Sequence, residues 1–377
     1  MSIAPHQLNE AKTRHLPQLD LLRAWAIIAV VLYHGLHVFG ADHLLWGNTF
    51  RDFTAARDNN FLYFYPFTLG WAGVPLFFVL SGFVIHLSFL QSERKFDVLH
   101  FYWRRFWRVY PAYVVALIVF AFWDRGVISF VLHALFLHNV SNQTFFSINS
   151  SFWSIAVEMQ FYALYPVLLV LRHRFGIHGA FWCTVIISLL SRLVIIKFSA
   201  GSLDTTTAIT QKWALTPIVW MDWVLGALVA EYFVQNKRLF GRPWIFIALV
   251  AAVIATQTRY LVIISFSLFS IGFAALIEEV IRLPRNDAKS RTRILESVGV
   301  FSYSIYLWHQ PIIKAVGNYF NDVELFSSTI TMYLVVLIAA LIPTLCLAYL
   351  SFVYVEKAGQ SLGNRLWKKL FEKPVVK

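Results

Sequence analysis

Apolar stretches long enough to cross a bilayer recur along the whole chain, with short polar segments between them. A membrane-spanning helix needs roughly 20 consecutive apolar residues, and the pattern predicts ten such helices. Their limits are 19–39, 69–90, 109–124, 152–171, 178–197, 213–234, 243–257, 259–280, 298–317 and 328–354. The predicted fold class is therefore all-α, a polytopic membrane helix bundle with about ten transmembrane helices.

The apolar run 126–138 is the main ambiguity in this pattern. Its 13 residues are too few to span the hydrocarbon. Counting the run as a span would also invert the orientation of every later helix, which would move many positive charges to the outer side. We therefore predict that it forms a short helix lying at the outer surface.

The composition places most of the chain in lipid. Hydrophobic residues make up 58% of the chain, charged residues make up 14%, and the mean hydropathy is +0.62, whereas soluble domains are about a quarter charged. These values exclude a soluble enzyme, a disordered chain, a collagen and a disulfide-rich secreted module. Because Cys183 and Cys346 both lie within apolar runs, the sequence predicts no disulfide and no metal site.

The net charge of +12 could indicate a nucleic-acid partner, so the distribution of the charge has to be considered. With the N-terminus inside, 24 of the 32 Lys and Arg residues fall in segments predicted to be cytoplasmic, and five fall in outer loops. Since Lys and Arg accumulate in the cytoplasmic loops of membrane proteins, the basicity is mainly an orientation signal. We predict that both termini are cytoplasmic, and we expect no nucleic-acid partner.

The predicted spans divide the chain into three segments. Residues 1–18 form a polar cytoplasmic N-terminal segment, 19–354 form the transmembrane domain, and 355–377 form a basic cytoplasmic tail. The tail carries leucines at helical spacing among lysines and arginines, which predicts an amphipathic helix on an anionic inner leaflet. Membrane lipids are therefore an expected partner.

Two ionisable residues in the first span are candidates for function. Arg23 lies near the cytoplasmic end and His34 in the outer half, eleven residues apart. Eleven residues turn an α-helix about 20° past three full turns, so both side chains share one face, about 16 Å apart. Ionisable side chains inside a span cost roughly 2.5–3.5 kcal/mol on insertion scales. The alternative for His34 is an interfacial histidine that only hydrogen-bonds.

A carboxylate in the fourth span is predicted to lie at the same depth as this histidine. Glu158 lies about 9 Å below the outer boundary and His34 about 8 Å below it, at 1.5 Å per helical residue. A carboxylate beside an imidazole can fix its tautomer and stabilise the imidazolium, so we predict that the two pair as acid and base. The alternative, a structural ion pair between two helices, predicts the same contact.

Four further polar residues are predicted to line the same cavity. His309 lies about 12 Å below the outer side, and Asp222 is an acidic residue inside the sixth span that needs a partner. Tyr303 and Ser81 supply hydroxyls. For these two the alternatives are a hydrogen bond within the helix and, at Ser81 beside a glycine, close helix packing.

A basic run precedes the third span. Arg104, Arg105 and Arg108 occur within about one helical turn, interleaved with tryptophan and tyrosine. Arginine binds phosphate groups through two parallel hydrogen bonds, so the run is a candidate phosphate site on the cytoplasmic side. Positive-inside anchoring with an aromatic belt is the simpler alternative, although three arginines in five residues exceed what orientation requires.

Five motifs in this order resemble the membrane-bound acyltransferase 3 family. They are the arginine and histidine of the first span, FFVLSGF at 77–83, RRFWRVYP at 104–111, WSIAVEMQFY at 153–162 and SYSIYLWHQP at 302–311. The resemblance extends from about residue 18 to 357. It implies a multi-pass protein of the bacterial cytoplasmic (inner) membrane, with 19–354 as an acyltransferase domain. Such enzymes move an acyl group from cytoplasmic acyl-CoA to a hydroxyl of a surface, exported or lipid-linked glycan.

The resemblance also implies roles for the candidate residues. Arg23 and His34 correspond to an essential pair and Glu158 to the acidic residue of the fourth motif, which makes these three the expected catalytic residues. The arginines of the basic run correspond to the acyl-CoA phosphate site. The expected donor is acetyl-CoA or another acyl-CoA, and the expected partners are a carbohydrate acceptor and glycan-synthesis machinery.

The chain departs from the family pattern at three positions. Pro75 and Met159 stand where acidic residues are common in the family, and Ala358 stands where a proline is usual. Some members carry an additional esterase-like domain after the spans, which we expect this chain to lack. These departures leave the predicted pairing of His34 with Glu158 unchanged.

Two mechanisms and two other classes of function stay open on the sequence alone. His34 could act as a general base on the acceptor hydroxyl or as a nucleophile that carries the acyl group. A transporter or flippase for a glycan or a lipid-linked intermediate would also need buried charges, but the chain shows no repeated halves with broken helices. A scaffold subunit of a glycan-synthesis complex is the third reading.

Overall fold

Helices and their connecting turns account for the part of the chain that the structure describes. The computed structural model describes residues 16–36, 65–92, 95–122, 126–198, 214–256, 261–283, 290–322 and 329–372. We number the helices in chain order. They are Pro17–Gly35 (α1), Gly73–Leu90 (α2), Val98–Ala121 (α3), Val127–Ala134 (α4), Trp153–Phe198 (α5), Thr216–Val234 (α6), Pro243–Thr256 (α7), Val262–Val280 (α8), Ser290–Val300 (α9), Ser302–Asp322 (α10), Thr329–Leu350 (α11) and Lys357–Phe371 (α12).

Every predicted span overlaps one of these helices. Five helical stretches among the described residues are long and apolar enough to cross a membrane, and some of them combine consecutive helices. They are Pro66–Leu90, Trp153–Lys197, Thr216–Val234, Val262–Val280 and Ile330–Phe371. The all-α membrane fold is confirmed at this level, while the number of ten spans and the orientation of the termini stay predictions. Residues 1–15, the end of the first span at 37–39 and the last residues, 373–377, lie outside the described residues.

A single glycine interrupts the helical backbone within residues 172–177, which separate the fourth and fifth predicted spans. Helical structure continues on both sides of it through Trp153–Phe198, but Gly176 itself has φ 70° and ψ 170°. This backbone conformation, with its positive φ, is readily adopted only by glycine. The chain therefore turns there, between the polar ends of two apolar segments, as the hydropathy pattern predicts.

Helix α3 begins well before the predicted start of the third span at 109. The Asp97 side chain accepts a hydrogen bond from the backbone N–H of His100 at 3.0 Å and caps the helix. Arg104, Arg105 and Arg108 therefore lie on the helix itself instead of on a preceding loop. The hydropathy pattern does not reveal this start because the first three turns are rich in arginine.

The run 126–138 contains a short helix, as predicted, which ends at Ala134. Val127 and Ile128 are exposed, whereas His133 and His138 are fully buried and their rings stack at 3.7 Å. After this helix the chain folds back into the bundle, where Asn149 donates to the carbonyl of Leu307 at 3.1 Å.

The C-terminal helix continues beyond the predicted end of the last span at 354. A π-helical turn at Ser351–Glu356 leads directly into α12. One face of α12 packs against α3, where the Trp103 Nε1–H donates to the carbonyl of Gly363 at 2.8 Å. The opposite face is polar and exposes Arg365, Lys368 and Lys369. The tail is thus an amphipathic helix, as predicted, and it packs against the bundle.

Helices α2 and α6 approach each other at two glycines. A Cβ atom on Gly82 would lie 1.9 Å from the carbonyl oxygen of Trp223, and one on Gly226 would lie 2.0 Å from that of Val79. Small residues at such crossings let two backbones touch. This contact brings Trp223 beside Ser81, to which its Nε1–H donates at 3.2 Å.

We predict that Gly226→Ala destabilises the bundle, because the added methyl group would meet backbone atoms that cannot rotate away. Overpacking of this kind costs about 1–3 kcal/mol of unfolding free energy, measurable by SDS-induced unfolding in mixed micelles. Gly241→Ala is the matched control, since a Cβ atom there would have only Pro243 nearby, at 3.5 Å. Equal stability of the two variants would contradict the prediction.

We predict that Asn142 lies outside the cell and Gln235 inside it. Both side chains are exposed, so each can carry a cysteine in a background in which Cys183 and Cys346 are changed to serine. A membrane-impermeant maleimide should label Asn142→Cys in intact cells and Gln235→Cys only after permeabilisation. The reverse labelling pattern would overturn the predicted orientation.

Candidate functional site

A cavity of about 160 Å³ lies between helices α1, α2, α3, α5, α9 and α10. Arginines line one end, and Ser154 and Tyr306 line the other. Apolar side chains, among them Phe77 and Ile85, form much of the wall between these ends. The cavity can therefore hold an elongated molecule with an anionic end.

Arg105 supplies the most available positive charge in the cavity. Within the described part of the chain it has no carboxylate within 4 Å, and its guanidinium lies 5.8 Å from the ring centres of Phe101 and Tyr162. By contrast, Arg108 pairs with the buried Glu356 at 2.6 Å and Arg23 pairs with Asp20 at 2.6 Å. Arg105 is thus held by aromatic faces, and its charge is left for a ligand.

The three arginines of the basic run do not all reach this site. Arg105 and Arg108 line the cavity, whereas Arg104 is exposed and lies outside the lining. Adjacent helical residues point about 100° apart, so Arg104 and Arg105 cannot share a face. The prediction of a three-arginine cluster is corrected to two arginines of the run together with Arg23.

Glu158 lies about midway along the cavity and is held by two hydroxyl groups. Ser81 Oγ donates to Glu158 Oε1 at 2.8 Å, and Tyr162 Oη donates to the same oxygen at 2.5 Å. Ser81 is itself held by Trp223 Nε1–H at 3.2 Å. The predicted role of Ser81 at the cavity wall is consistent with this position. The arrangement fixes one carboxylate oxygen firmly in place.

His34 pairs with His309 and not with Glu158. The Nδ1 atom of His34 lies 3.0 Å from Nε2 of His309 and 3.0 Å from the carbonyl oxygen of Val30. The predicted contact between His34 and Glu158 is therefore wrong. Equal depth in the membrane is necessary for contact but not sufficient, because α1 turns His34 toward α10 instead of α5.

A tyrosine separates the cavity from the histidine pair. Tyr306 Oη lies 2.6 Å from Ser154 Oγ and donates to the carbonyl of Ser151 at 3.0 Å. The Tyr306 ring lines the cavity and lies 5.4 Å from the ring of His309. The two histidines are thus one side chain beyond the end of the cavity.

The two remaining predicted cavity residues have different positions. Tyr303 lines the cavity, and its hydroxyl donates to the carbonyl of Val109 at 2.9 Å. Asp222 is fully buried but lies outside the lining, where it is attracted to Arg192. The Arg192 guanidinium also donates to Ser267 Oγ at 2.6 Å. The expectation that Asp222 lines the cavity is corrected, because the residue is buried among packed helices outside the lining.

A second group of buried polar residues connects α2, α5 and α6 outside the cavity. His86 Nε2 lies 3.0 Å from Glu231 Oε1, and Arg172 also donates to that oxygen. The other ring nitrogen of His86 lies 3.1 Å from Tyr165 Oη. These contacts satisfy charged groups that lipid would otherwise destabilise.

Two residues of the site are not evident as such from the sequence. Tyr162 belongs to one of the five motifs, and its position one helical turn after Glu158 places both on one face. Glu356 lies at the predicted start of the cytoplasmic tail, although it is fully buried. Its partner Arg108 cannot be identified from sequence, since the two lie far apart in the chain.

Candidate metal ligands do not cluster in the described part of the chain. No group of three or more His, Cys, Asp or Glu side chains there is arranged to hold a metal ion. The expectation that the site needs no metal stays a prediction.

Comparisons with known proteins point to one enzyme family. Residues 16–353 match the family model Acyl_transf_3, described as an acyltransferase domain. O-acetyltransferase OatA of Staphylococcus aureus strain NCTC 8325 is 26% identical to this chain over an alignment of 396 residues. The alignment covers 96% of this chain and 60% of that protein. OatA of strain MRSA252 matches with the same values. No solved structure matches the chain.

The relatives and the family model differ in how much of each protein the match covers. The chain spans about three fifths of the length of the curated relatives it matches, so their names alone do not give its substrate. The family model, by contrast, covers nearly all of the predicted spans. The resemblance drawn from the five motifs is therefore confirmed, and the chain belongs to the acyltransferase 3 family of enzymes, which transfer acyl groups other than aminoacyl groups.

Proposed function

We propose that this protein is an O-acyltransferase of the bacterial cytoplasmic membrane. It moves an acyl group, expected to be acetyl, from cytoplasmic acyl-CoA to a hydroxyl of a surface, exported or lipid-linked glycan. The observation that carries the proposal is the cavity, which has an arginine-lined end and leads to the histidine pair beyond Tyr306. Acyl-CoA has matching parts, with phosphates at one end and a thioester at the other.

The arginine-lined end would bind the phosphates of the donor. Arg105 offers a guanidinium without a carboxylate partner among the described residues, and Arg23 and Arg108 add charge beside it. Guanidinium groups bind phosphate oxygens through paired hydrogen bonds. With the N-terminus inside, this end faces the cytoplasm, where acyl-CoA is available.

The distance from the arginine-lined end to the histidine pair suits the arm of the donor. Arg23 and His34 are separated by about 16 Å along their helix, which is comparable to the reach of an extended pantetheine arm. The apolar wall with Phe77 and Phe78 would exclude water from the thioester. We assign Glu158 to this arm, since its carboxylate can accept a hydrogen bond from an amide N–H of pantetheine.

Beyond the cavity, His34 is the proposed catalytic group. As a general base it would take the proton of the acceptor hydroxyl while the hydroxyl oxygen attacks the thioester carbon. As a nucleophile it would instead carry the acyl group on its ring before transfer. In either route the C–S bond breaks and CoA leaves as the thiol once it has gained a proton.

The name of the relatives supports acetyl as the transferred group, and the predicted outer location of the histidine pair supports a glycan acceptor exposed on that side. Proteins that synthesise or present this glycan would be the functional partners. A transporter or flippase stays the alternative, and no observation on the described helices favours it over acyl transfer.

We predict that Arg105→Gln weakens donor binding and that Arg104→Gln does not. Loss of a charge-assisted hydrogen bond costs about 1.5–3 kcal/mol, which corresponds to a rise in KM for acetyl-CoA of roughly 10–100-fold. The two variants remove the same charge from adjacent positions, so net charge is controlled. Equal KM values would remove Arg105 from the proposed phosphate site.

We predict that His34→Ala abolishes transfer of radiolabelled acetyl groups from acetyl-CoA to a glycan acceptor by purified protein. Label that still reaches the acceptor would overturn the assignment of His34. Absence of transfer by the unaltered protein with every acceptor tested would favour the transporter. A burst of CoA release without acceptor, together with an acetyl adduct on His34, would identify the covalent route.

A further inference from the structure

We propose that His309 is a positioning residue that holds the ring of His34 with its Nδ1 protonated and its Nε2 unprotonated and able to react. This inference rests on the proposed function, because it concerns how the proposed catalytic histidine is prepared. It replaces the carboxylate expected from sequence with a neutral imidazole. The contacts of the two rings carry the argument.

The backbone of α10 sets the tautomer of His309. Its Nδ1 atom lies 2.9 Å from the carbonyl oxygen of Tyr306 and 3.2 Å from that of Ile305. A carbonyl oxygen only accepts hydrogen bonds, so Nδ1 must carry the proton. In the neutral ring the remaining nitrogen, Nε2, then has a lone pair and accepts. The ring is fully buried, so packing holds this orientation.

The neighbours of His34 set its tautomer in the same way. Its Nδ1 atom lies 3.0 Å from the accepting Nε2 of His309 and 3.0 Å from the carbonyl oxygen of Val30. Because both neighbours are acceptors, the Nδ1 of His34 must be the donor. The proton of the neutral His34 ring is therefore on Nδ1, and the lone pair is on Nε2.

This arrangement prepares His34 for either proposed route. In base catalysis, the O–H bond of the acceptor breaks and an Nε2–H bond forms, while the positive charge that develops is stabilised by the lone pair of His309 across Nδ1–H. In the covalent route, an Nε2–C bond forms as the C–S bond breaks, and the Nδ1 proton can pass to His309. Both routes use the same hydrogen bond.

The surroundings of the pair add no carboxylate among the residues described. The Tyr33 ring lies 5.1 Å from the His34 ring, and the Tyr306 ring lies 5.4 Å from that of His309. Glu158 is committed to Ser81 and Tyr162. Among the described side chains, His309 contacts Nδ1 of His34 directly and can stabilise an imidazolium there.

The test compares His309→Gln with His309→Met in the full-length protein. The two side chains are similar in size, but only glutamine offers a strong acceptor near the position of Nε2. We expect His309→Met to lower kcat about 10–100-fold, the usual effect of losing a group that orients a catalytic ligand, and His309→Gln to keep most of it. The acidic limb of the pH profile should move to lower pH in His309→Met, because the imidazolium loses its acceptor, and should stay in place in His309→Gln.

A second readout needs neither donor nor acceptor. Diethyl pyrocarbonate modifies an unprotonated ring nitrogen, and mass spectrometry can follow the rate at His34. We expect this rate to fall about ten-fold in His309→Met and to change little in His309→Gln. Equal rates and equal pH profiles in the two variants would overturn the role of His309.

The unaltered protein provides a measurement that does not depend on whether either variant folds. Ring nitrogen chemical shifts of ¹⁵N-labelled histidine, assigned to His34 by comparison with His34→Ala, should show a protonated Nδ1 and an unprotonated Nε2 at a pH at which His34 is neutral. The opposite tautomer would overturn the inference. If the tautomer is as inferred but no acceptor is ever acetylated, the proposed function fails and the pairing stands.

Discussion

A charged side chain inside a bilayer is stable only when other protein groups replace the water it has lost. This requirement determines where most ionisable residues of the bundle lie. Glu231 binds His86 and Arg172, and Glu158 is held by hydroxyl groups. Each of these contacts also joins two helices or fixes one side chain, so satisfying the charges and assembling the bundle are one process.

Arg105 differs from these residues, and the difference bears on function. Its guanidinium lies over aromatic rings and lacks a carboxylate partner in the described helices. Such a charge costs free energy unless a ligand neutralises it. Neighbouring Arg108 is already partnered by Glu356. The cavity thus has one arginine at its cationic end without a carboxylate in contact, and the phosphates of the proposed donor would supply that contact.

Sequence reasoning can predict where helices lie but not how they are rotated. The apolar lengths identify the helices and the polar segments that connect them. Depth along a helix follows from counting residues, which is why His34, Glu158 and His309 are all expected near one level. The direction in which each side chain points depends on which helices are neighbours. The sequence of a single span does not contain that information. Sequence reasoning therefore pairs His34 with Glu158, although His34 contacts His309.

The same limit explains the other corrections. Arg104 and Arg105 are indistinguishable by residue type and depth, and only the rotation of α3 separates an exposed arginine from one in the cavity. A small residue such as Gly82 indicates that another helix packs closely there. Only the structure shows that this helix is α6, which approaches at Gly226. Where the sequence does locate function, it does so through ionisable residues that lipid should exclude.

The hydrogen bonds of Tyr306 to α5 have a consequence for the cell as well as for the enzyme. In the predicted orientation, a continuous aqueous path from the arginine-lined end of the cavity to the outer side would let protons cross the membrane. The proton gradient across the membrane would then be lost. Tyr306 and Ser154 close the upper end of the cavity with a hydrogen-bonded layer. For the proposed acyl transfer, this layer has to open only far enough for the acyl end of the donor to reach the histidines. In the proposed reaction, acyl groups would therefore leave the cytoplasm without a permanently open path for ions across the membrane.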